Sequence, residues 1–144
     1  MTGDAVLREV TLTLPMSPDM EVAASKTASA MAEFMRMSPE KVDEVRLAVV
    51  EACINAFEHS HARDHKVHLT FAVLGHGQPE KLEIKVHDTG VGFLVDSLEE
   101  PVMADKLKAA RKRGWGLKII RGLMDEVEIA SSAGGTTVVM RKLR

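Results

Sequence analysis

A carboxylate and an amide interrupt one apolar stretch of the chain. Glu51 and Asn55 lie four residues apart within Leu47–Phe57, whose other members are all apolar. On a helix this spacing places the two side chains on one face, about 6 Å apart along the axis. The amide oxygen could bind a hard cation such as Mg2+, and the carboxylate could act as a general base. A boundary pair satisfied by the backbone, Arg46 or Lys66 is the plainer interpretation of this segment alone.

A further carboxylate, Asp88, follows a stretch that alternates like a strand. Lys81–His87 alternates polar with apolar residues, and Gly90 and Gly92 come shortly after Asp88. At the end of a strand, a carboxylate can accept a hydrogen bond from an exocyclic amine such as that of adenine. The glycines permit positive φ and let a ligand approach the backbone closely. Taken alone, the segment is more commonly an ordinary strand-ending turn.

A third group combines glycines with positive charge. Gly114 and Gly116 precede a predicted helix, and residues 105–118 hold six basic residues against one acidic residue. The backbone N–H groups at a helix start favour a phosphate, and the local positive charge suits a polyphosphate. A charged run is more often a solvated helical face. Thr136 follows two glycines near the C-terminus; its hydroxyl could reach a phosphate, but an ordinary hairpin residue is the favoured interpretation.

Helices are predicted where a serine stands directly before a proline. Ser17 and Ser38 fit the N-cap position, with proline at the first helical position. The two helices should end near Met35 and His59. A third helix is expected over residues 116–124. Between the second and third helices, we expect a loop over residues 90–114 with a short helical piece near 104–111.

Strands are predicted where apolar and polar residues alternate with a period of two. This alternation predicts strands over residues 6–14, 66–73 and 81–87, and two last strands are predicted over residues 126–130 and 136–142. On the first of these, Val6, Arg8, Val10, Leu12 and Leu14 should share one face. Because most strands come in adjacent pairs, we expect antiparallel hairpins with the helices packed on one face. This arrangement is a two-layer α/β sandwich.

The composition limits the class of protein. The 144 residues fit one domain, residues 1–144, and 45% hydrophobic with 28% charged residues is typical of a globular chain. A net charge of −2 gives no reason to expect nucleic acid or a membrane surface as the main partner. A single cysteine, no signal-peptide pattern and no long apolar run predict a cytoplasmic protein.

Five of the six histidines fall between residues 59 and 76. A metalloprotease-type zinc site would need two histidines at i, i+4 spacing on a helix with a glutamate between them. The stretch contains no such pattern, so we expect loop and strand-face histidines rather than a zinc site.

Taken together and in this order, the motifs resemble the ATP-binding (Bergerat) fold of the GHKL superfamily. Glu51, Asn55 and His59 resemble its N box. The segments Asp88-Thr-Gly90-Val-Gly92 and Gly114-Trp-Gly116-Leu117 resemble its two glycine boxes. Within the superfamily, Arg46 to His59, Leu123-Met-Asp-Glu-Val and Gly-Gly-Thr-Thr are most similar to serine-protein kinases that act as anti-sigma factors in bacterial partner-switching systems. The resemblance implies an α+β fold with a mixed, mostly antiparallel sheet.

The resemblance also implies roles for individual residues, with ATP and Mg2+ as cofactors. Glu51 would be the catalytic base, Asn55 the Mg2+ ligand, and Asp88 the residue that recognises adenine. Residues 94–113 would form a short lid over ATP. The remaining predicted cofactor-binding residues are His59, Gly90, Gly92, Phe93, Arg113, Gly114, Trp115, Gly116, Leu117 and Thr136.

Three kinds of partner follow from the same resemblance. The phosphorylated substrate would be a STAS-domain anti-anti-sigma protein, a sigma factor would be a second partner, and the kinase would be a homodimer. Two alternatives stay open on the sequence: a non-catalytic ATP-binding adaptor, and a switch kinase that acts on a scaffold or phosphatase rather than through a sigma factor.

Overall fold

The computed structural model describes residues 4–59, 64–89, 116–132 and 134–144. Within these ranges five strands form one sheet in the order β1-β2-β3-β5-β4. The strands are β1 (Ala5–Pro15), β2 (Lys66–Gly75), β3 (Pro79–Asp88), β4 (Glu126–Ser132) and β5 (Gly135–Leu143). The helices are α1 (Met20–Phe34), α2 (Pro39–His59) and α3 (residues 116–123).

All four strand pairings in the described ranges are antiparallel. The two-layer α/β sandwich is therefore confirmed, although the sheet has no parallel pair in the part that the structure describes. Adjacent antiparallel strands need only short connections, which agrees with the short β2–β3 and β4–β5 turns. Among the described residues, no helix combines the length and the apolar character needed to cross a membrane.

One face of the sheet lies under the helices and forms the core. Phe71, Ile84 and Met140 occupy one register row across β2, β3 and β5, and each is 0% exposed. Ala28 of α1 and Val49 of α2 belong to the same buried cluster. Apolar burial of this kind contributes roughly 25 cal/mol per Å2 removed from water, so this row fixes how the helices sit on the sheet.

The first helix begins later than the sequence predicts. Asp19 has φ 75°, in the left-handed region, and α1 starts at Met20. Because left-handed backbone cannot be part of a right-handed helix, Pro18 is in a turn and Ser17 is not the N-cap. The second prediction holds: α2 starts at Pro39, and the backbone N–H of Lys41 donates to Ser38 Oγ at 3.3 Å.

The first strand contains an irregularity that breaks its predicted alternation. The pairing of β1 with β2 shifts register between Val6 and Arg8. As a result, Leu7 packs against the core while Val6 is 56% exposed. The expectation that Val6 shares a face with Leu12 and Leu14 is therefore wrong, because an extra residue in one strand reverses the alternation beyond it.

Candidate functional site

The predicted general base and metal ligand lie in the C-terminal half of α2. Glu51 and Asn55 are both half-buried, at the border of the stripe that faces the core. Arg46, one candidate partner for this pair, instead donates to Asp43 Oδ1 at 3.2 Å. A half-buried position suits side chains that must contact both the protein and a ligand.

Asn55 packs directly against α3. A Cβ atom built on Gly116 would lie 2.7 Å from Asn55 Nδ2 and 2.9 Å from its Oδ1. No side chain fits at such distances, so glycine is required at position 116 for the Asn55 amide to keep this place. Two motifs separated by about sixty residues in the chain therefore meet at this contact.

Asp88 and Thr136 form a second buried polar group at the end of the sheet. They are opposite each other in the pairing of β3 with β5, and they are 5% and 8% exposed. Thr136 Oγ1 also lies 3.3 Å from Ser131 Oγ on β4. Because side chains alternate along a strand, Asp88 continues the helix-covered row of Ile84 and Val86.

A glycine makes the approach of β5 to Asp88 possible. Gly135 has φ 136°, and a Cβ atom built there would lie 2.0 Å from the carbonyl oxygen of Asp88. Both the dihedral angle and the contact exclude other residues. The double glycine in the sequence signalled this turn, but only the structure shows that Gly135 sets the distance between β5 and the Asp88 backbone.

The other predicted cofactor-binding residues divide into two sets. His59 is the last residue of α2 and is half-buried, and Leu117 packs against the hydrophobic core. Any contact of Leu117 with a phosphate would therefore come from its backbone. The remaining predictions lie outside the described residues: Gly90, Gly92, Phe93, Arg113, Gly114, Trp115 and the lid at residues 94–113.

One histidine does approach two carboxylates, far from Asp88. The ligand atoms of Asp4, His76 and Glu80 lie within 4.8 Å of one another. Lys81 Nζ contacts Asp4 Oδ2 at 2.9 Å, and His76 Nε2 lies 3.2 Å from Asp4 Oδ1. The hydrogen bond from Lys81 lowers the pKa of the Asp4 carboxyl. The group is therefore a partly exposed ion-pair network that connects the start of β1 to the β2–β3 hairpin.

The sequence is similar to a known domain family and to a known kinase. The histidine kinase-like ATPase domain family matches residues 14–142. The serine-protein kinase RsbW of Bacillus pumilus is 30% identical over 141 residues, which cover 92% of this chain and 84% of that protein.

Two solved structures share the fold. The RsbU and RsbW domains of Rv1364c from Mycobacterium tuberculosis match with a TM-score of 0.68 at 20% identity, over 94% of this chain and 32% of that one. The SiaB–SiaC complex from Pseudomonas aeruginosa matches with a TM-score of 0.57 at 14% identity, over 96% and 91%. The chain belongs to the histidine kinase-like ATPase domain family, in its RsbW group of serine-protein kinases.

Proposed function

We propose that the protein is an ATP-dependent serine-protein kinase and anti-sigma factor of a partner-switching module. The observation that carries the proposal is the packing of Asn55 against Gly116, which joins two motifs of the ATP-binding fold in one place. Membership of the ATPase family and the 30% identity to RsbW support the kinase activity. In this proposal residues 1–144 form a single ATP-binding domain.

The described residues fit a Mg-ATP ligand. The amide oxygen of Asn55 is a neutral hard ligand, and the missing side chain of Gly116 lets α3 pack against this amide. Asn55 would hold Mg2+, which neutralises phosphate charge when it is bound. Asp88 would accept a hydrogen bond from the adenine amine, with Thr136 beside it on β5.

Glu51 is the proposed general base. Its carboxylate would accept the proton of a serine hydroxyl on the partner, and the serine oxygen would attack the γ-phosphorus. The bond between that phosphorus and the β,γ-bridging oxygen then breaks, and ADP leaves. The half-buried position of Glu51 on the same helix face as Asn55 supports this role.

The proposed substrate is a STAS-domain anti-anti-sigma protein. A phosphoserine adds about −1.5 to −2 charges at neutral pH, so repulsion from the phosphates of the nucleotide would release the partner. The kinase would then be free to bind a sigma factor. Copurification of a sigma factor with the kinase, in the absence of the unphosphorylated STAS partner, would support this order. Copurification of a scaffold or a phosphatase instead would favour the alternative switch kinase.

The first experiment tests the nucleotide site. Thermal unfolding of wild type and Asp88→Asn is measured with and without Mg-ATP. Ligand at 100-fold over its dissociation constant should stabilise the wild type by about 2.7 kcal/mol, and the variant should lose this increment. Asp43→Asn, an exposed change elsewhere on α2, is the matched control and should respond like the wild type. An unchanged melting temperature of the wild type in millimolar ATP would end the proposal.

The second experiment separates a kinase from a non-catalytic adaptor. Glu51→Ala should bind Mg-ATP like the wild type but phosphorylate the STAS partner about 100- to 10,000-fold more slowly, the usual contribution of a general base. Glu40→Gln, at the exposed start of α2, serves as control. Mass spectrometry of the partner provides the readout. An adaptor would leave the partner unmodified with the wild type as well.

The proposed oligomer is a homodimer formed at the β1 edge of the sheet. In the described part of the chain, β1 pairs only with β2. Val6, Val10 and Phe34 expose 56%, 39% and 53% of their surface near this edge. An unpaired edge bordered by apolar side chains favours a second copy of the same edge. Val10→Glu should convert the dimer to a monomer in light scattering, and Leu47→Glu on α2 should not.

A further inference from the structure

Lys142 is a buried cation at the far end of α3 from Asn55. Its residue is 6% exposed, on the helix-covered side of β5. Lys142 Nζ pairs with Glu44 Oε1 of α2 at 2.9 Å and donates a hydrogen bond to the carbonyl oxygen of Leu123. Burying an ammonium group is unfavourable unless such partners compensate for the lost water. The lysine therefore joins three elements: α2, α3 and β5.

The contact with Leu123 occurs where α3 ends. The last carbonyl groups of a helix have no partner inside the helix, and a cation there also interacts favourably with the helix dipole. Two more bonds hold the segment after α3 on β5. The backbone N–H of Asp125 donates to the Arg141 carbonyl at 2.9 Å, and that of Leu143 donates to Asp125 Oδ2 at 2.7 Å. The C-terminal end of α3 is thus fixed on the sheet.

The opposite end of α3 is the end that touches Asn55. Residues 116–123 span about 12 Å as a helix, and Glu44 and Asn55 are about 16 Å apart along α2. Gly116 contacts Asn55, while Leu123 connects through Lys142 to Glu44. The third helix therefore lies beside α2 in the opposite direction, attached to it at both ends. Ile120 of α3 is 0% exposed and belongs to the hydrophobic core cluster that also includes buried residues of α2.

We propose that Lys142 is a positioning residue that sets the place of α3 along α2 and thereby holds Gly116 against Asn55. A packed helix moves as a unit, so a displacement at Leu123 appears at Gly116. A shift of Gly116 changes the room for the Asn55 amide, the proposed Mg2+ ligand. This inference rests on the proposed function for its effect on ATP, but the placement of α3 can be measured without ATP.

The neighbouring residue provides a matched control. Arg141 is also an ion-paired cation on β5, but its guanidinium contacts Glu83, Glu126 and Glu128 on the open face of the sheet. Lys142→Met and Arg141→Met therefore remove one cation each from adjacent positions on opposite faces. Lys142→Arg restores a cation, and Glu44→Gln weakens the same ion pair from α2.

The experiment has two readouts. Calorimetry measures the affinity for Mg-ATP, and fluorescence measures the tryptophan emission of the nucleotide-free protein. Trp115 is the single tryptophan and directly precedes Gly116, so its emission reports on that end of α3. Lys142→Met should weaken ATP binding about 10-fold or more, the scale on which removal of an orienting partner acts, and should shift the emission. Arg141→Met should change neither. Lys142→Arg should recover most of the affinity.

The outcomes separate this inference from the kinase proposal. A lower melting temperature of Lys142→Met with wild-type ATP affinity and wild-type emission would reduce Lys142 to a stabilising residue and overturn the inference. If Lys142→Met does not fold, Glu44→Gln decides by the same two readouts. Failure of the wild type itself to bind ATP would contradict the proposed function, while the emission of the variants would still test the placement of α3.

Discussion

The two faces of the sheet are built by different physical means. On the face under the helices, the row of Phe71, Ile84 and Met140 is fully buried, and the Asp88 and Thr136 pair lies on the same face where β3 ends and β5 begins. On the open face, Arg141 contacts three carboxylates, two of which are more than half exposed. Apolar burial is not weakened by salt, whereas exposed ion pairs are screened. The covered face therefore carries both the stability and the candidate site, and the open face tolerates change.

The largest difference between the two faces is expected for a residue of the buried row. Phe71→Ala removes a large side chain from a position that is 0% exposed. The loss of apolar contact and the cavity together should lower the free energy of unfolding by about 3–5 kcal/mol. Thr70→Ala, the adjacent residue on the open face, should change it by less than about 1 kcal/mol. Urea denaturation of both variants measures the two values, and equal losses would contradict the comparison.

A smaller effect is expected where the covered face meets the candidate site. Gly135→Ala forces a side chain into a positive φ and into the Asp88 carbonyl. We expect a loss of about 1–3 kcal/mol in the free energy of unfolding and weaker ATP binding. Gly122→Ala is the control, because a Cβ there meets nothing within 4 Å and a helical alanine should stabilise by about 0.5–1 kcal/mol. If Gly135→Ala had the same free energy of unfolding as the wild type, the turn would be able to accommodate the alanine side chain.

On the open face, loss of the central cation should matter little. Arg141 pairs with Glu83 at 2.8 Å and Glu126 at 3.1 Å, and it also contacts Glu128. Because such pairs are partly solvated, Arg141→Met should lower the free energy of unfolding by about 1 kcal/mol or less, and the difference should shrink at high salt. A salt-independent loss above about 2 kcal/mol would mean that the network behaves as a buried one.

The smallest effect concerns the Asp4 carboxyl at the β1 end of the sheet. Its pKa is lowered, chiefly by the hydrogen bond from Lys81. A lowered folded-state pKa adds stability above the ordinary carboxyl pKa, and this contribution is lost as the pH falls through the folded-state value. Asp4→Asn should therefore melt slightly below the wild type at neutral pH and converge with it in acid. Glu33→Gln, an exposed change on α1, is the control, and its melting temperature should show no such convergence with that of the wild type. If the difference in melting temperature between Asp4→Asn and the wild type did not depend on pH, the ion pair would be excluded as its cause.

The sequence by itself determined the type and order of the elements. Period-two alternation identified β1, β2 and β3, and Ser38-Pro39 located the start of α2, because these signals depend on neighbouring residues alone. The motif order indicated the ATP-binding fold, which the family comparison confirms. The start of α1 was predicted incorrectly because the left-handed backbone of Asp19 is not encoded by a residue type such as glycine.

Only the tertiary structure decided which distant residues meet. The irregularity near Leu7 comes from the pairing of β1 with β2, so the alternation of β1 alone could not reveal it. The contact of Asn55 with Gly116 and the junction of Lys142, Glu44 and Leu123 join residues far apart in the chain. Such contacts depend on how the helices settle on the sheet, and core packing sets that arrangement through the shapes of many side chains at once.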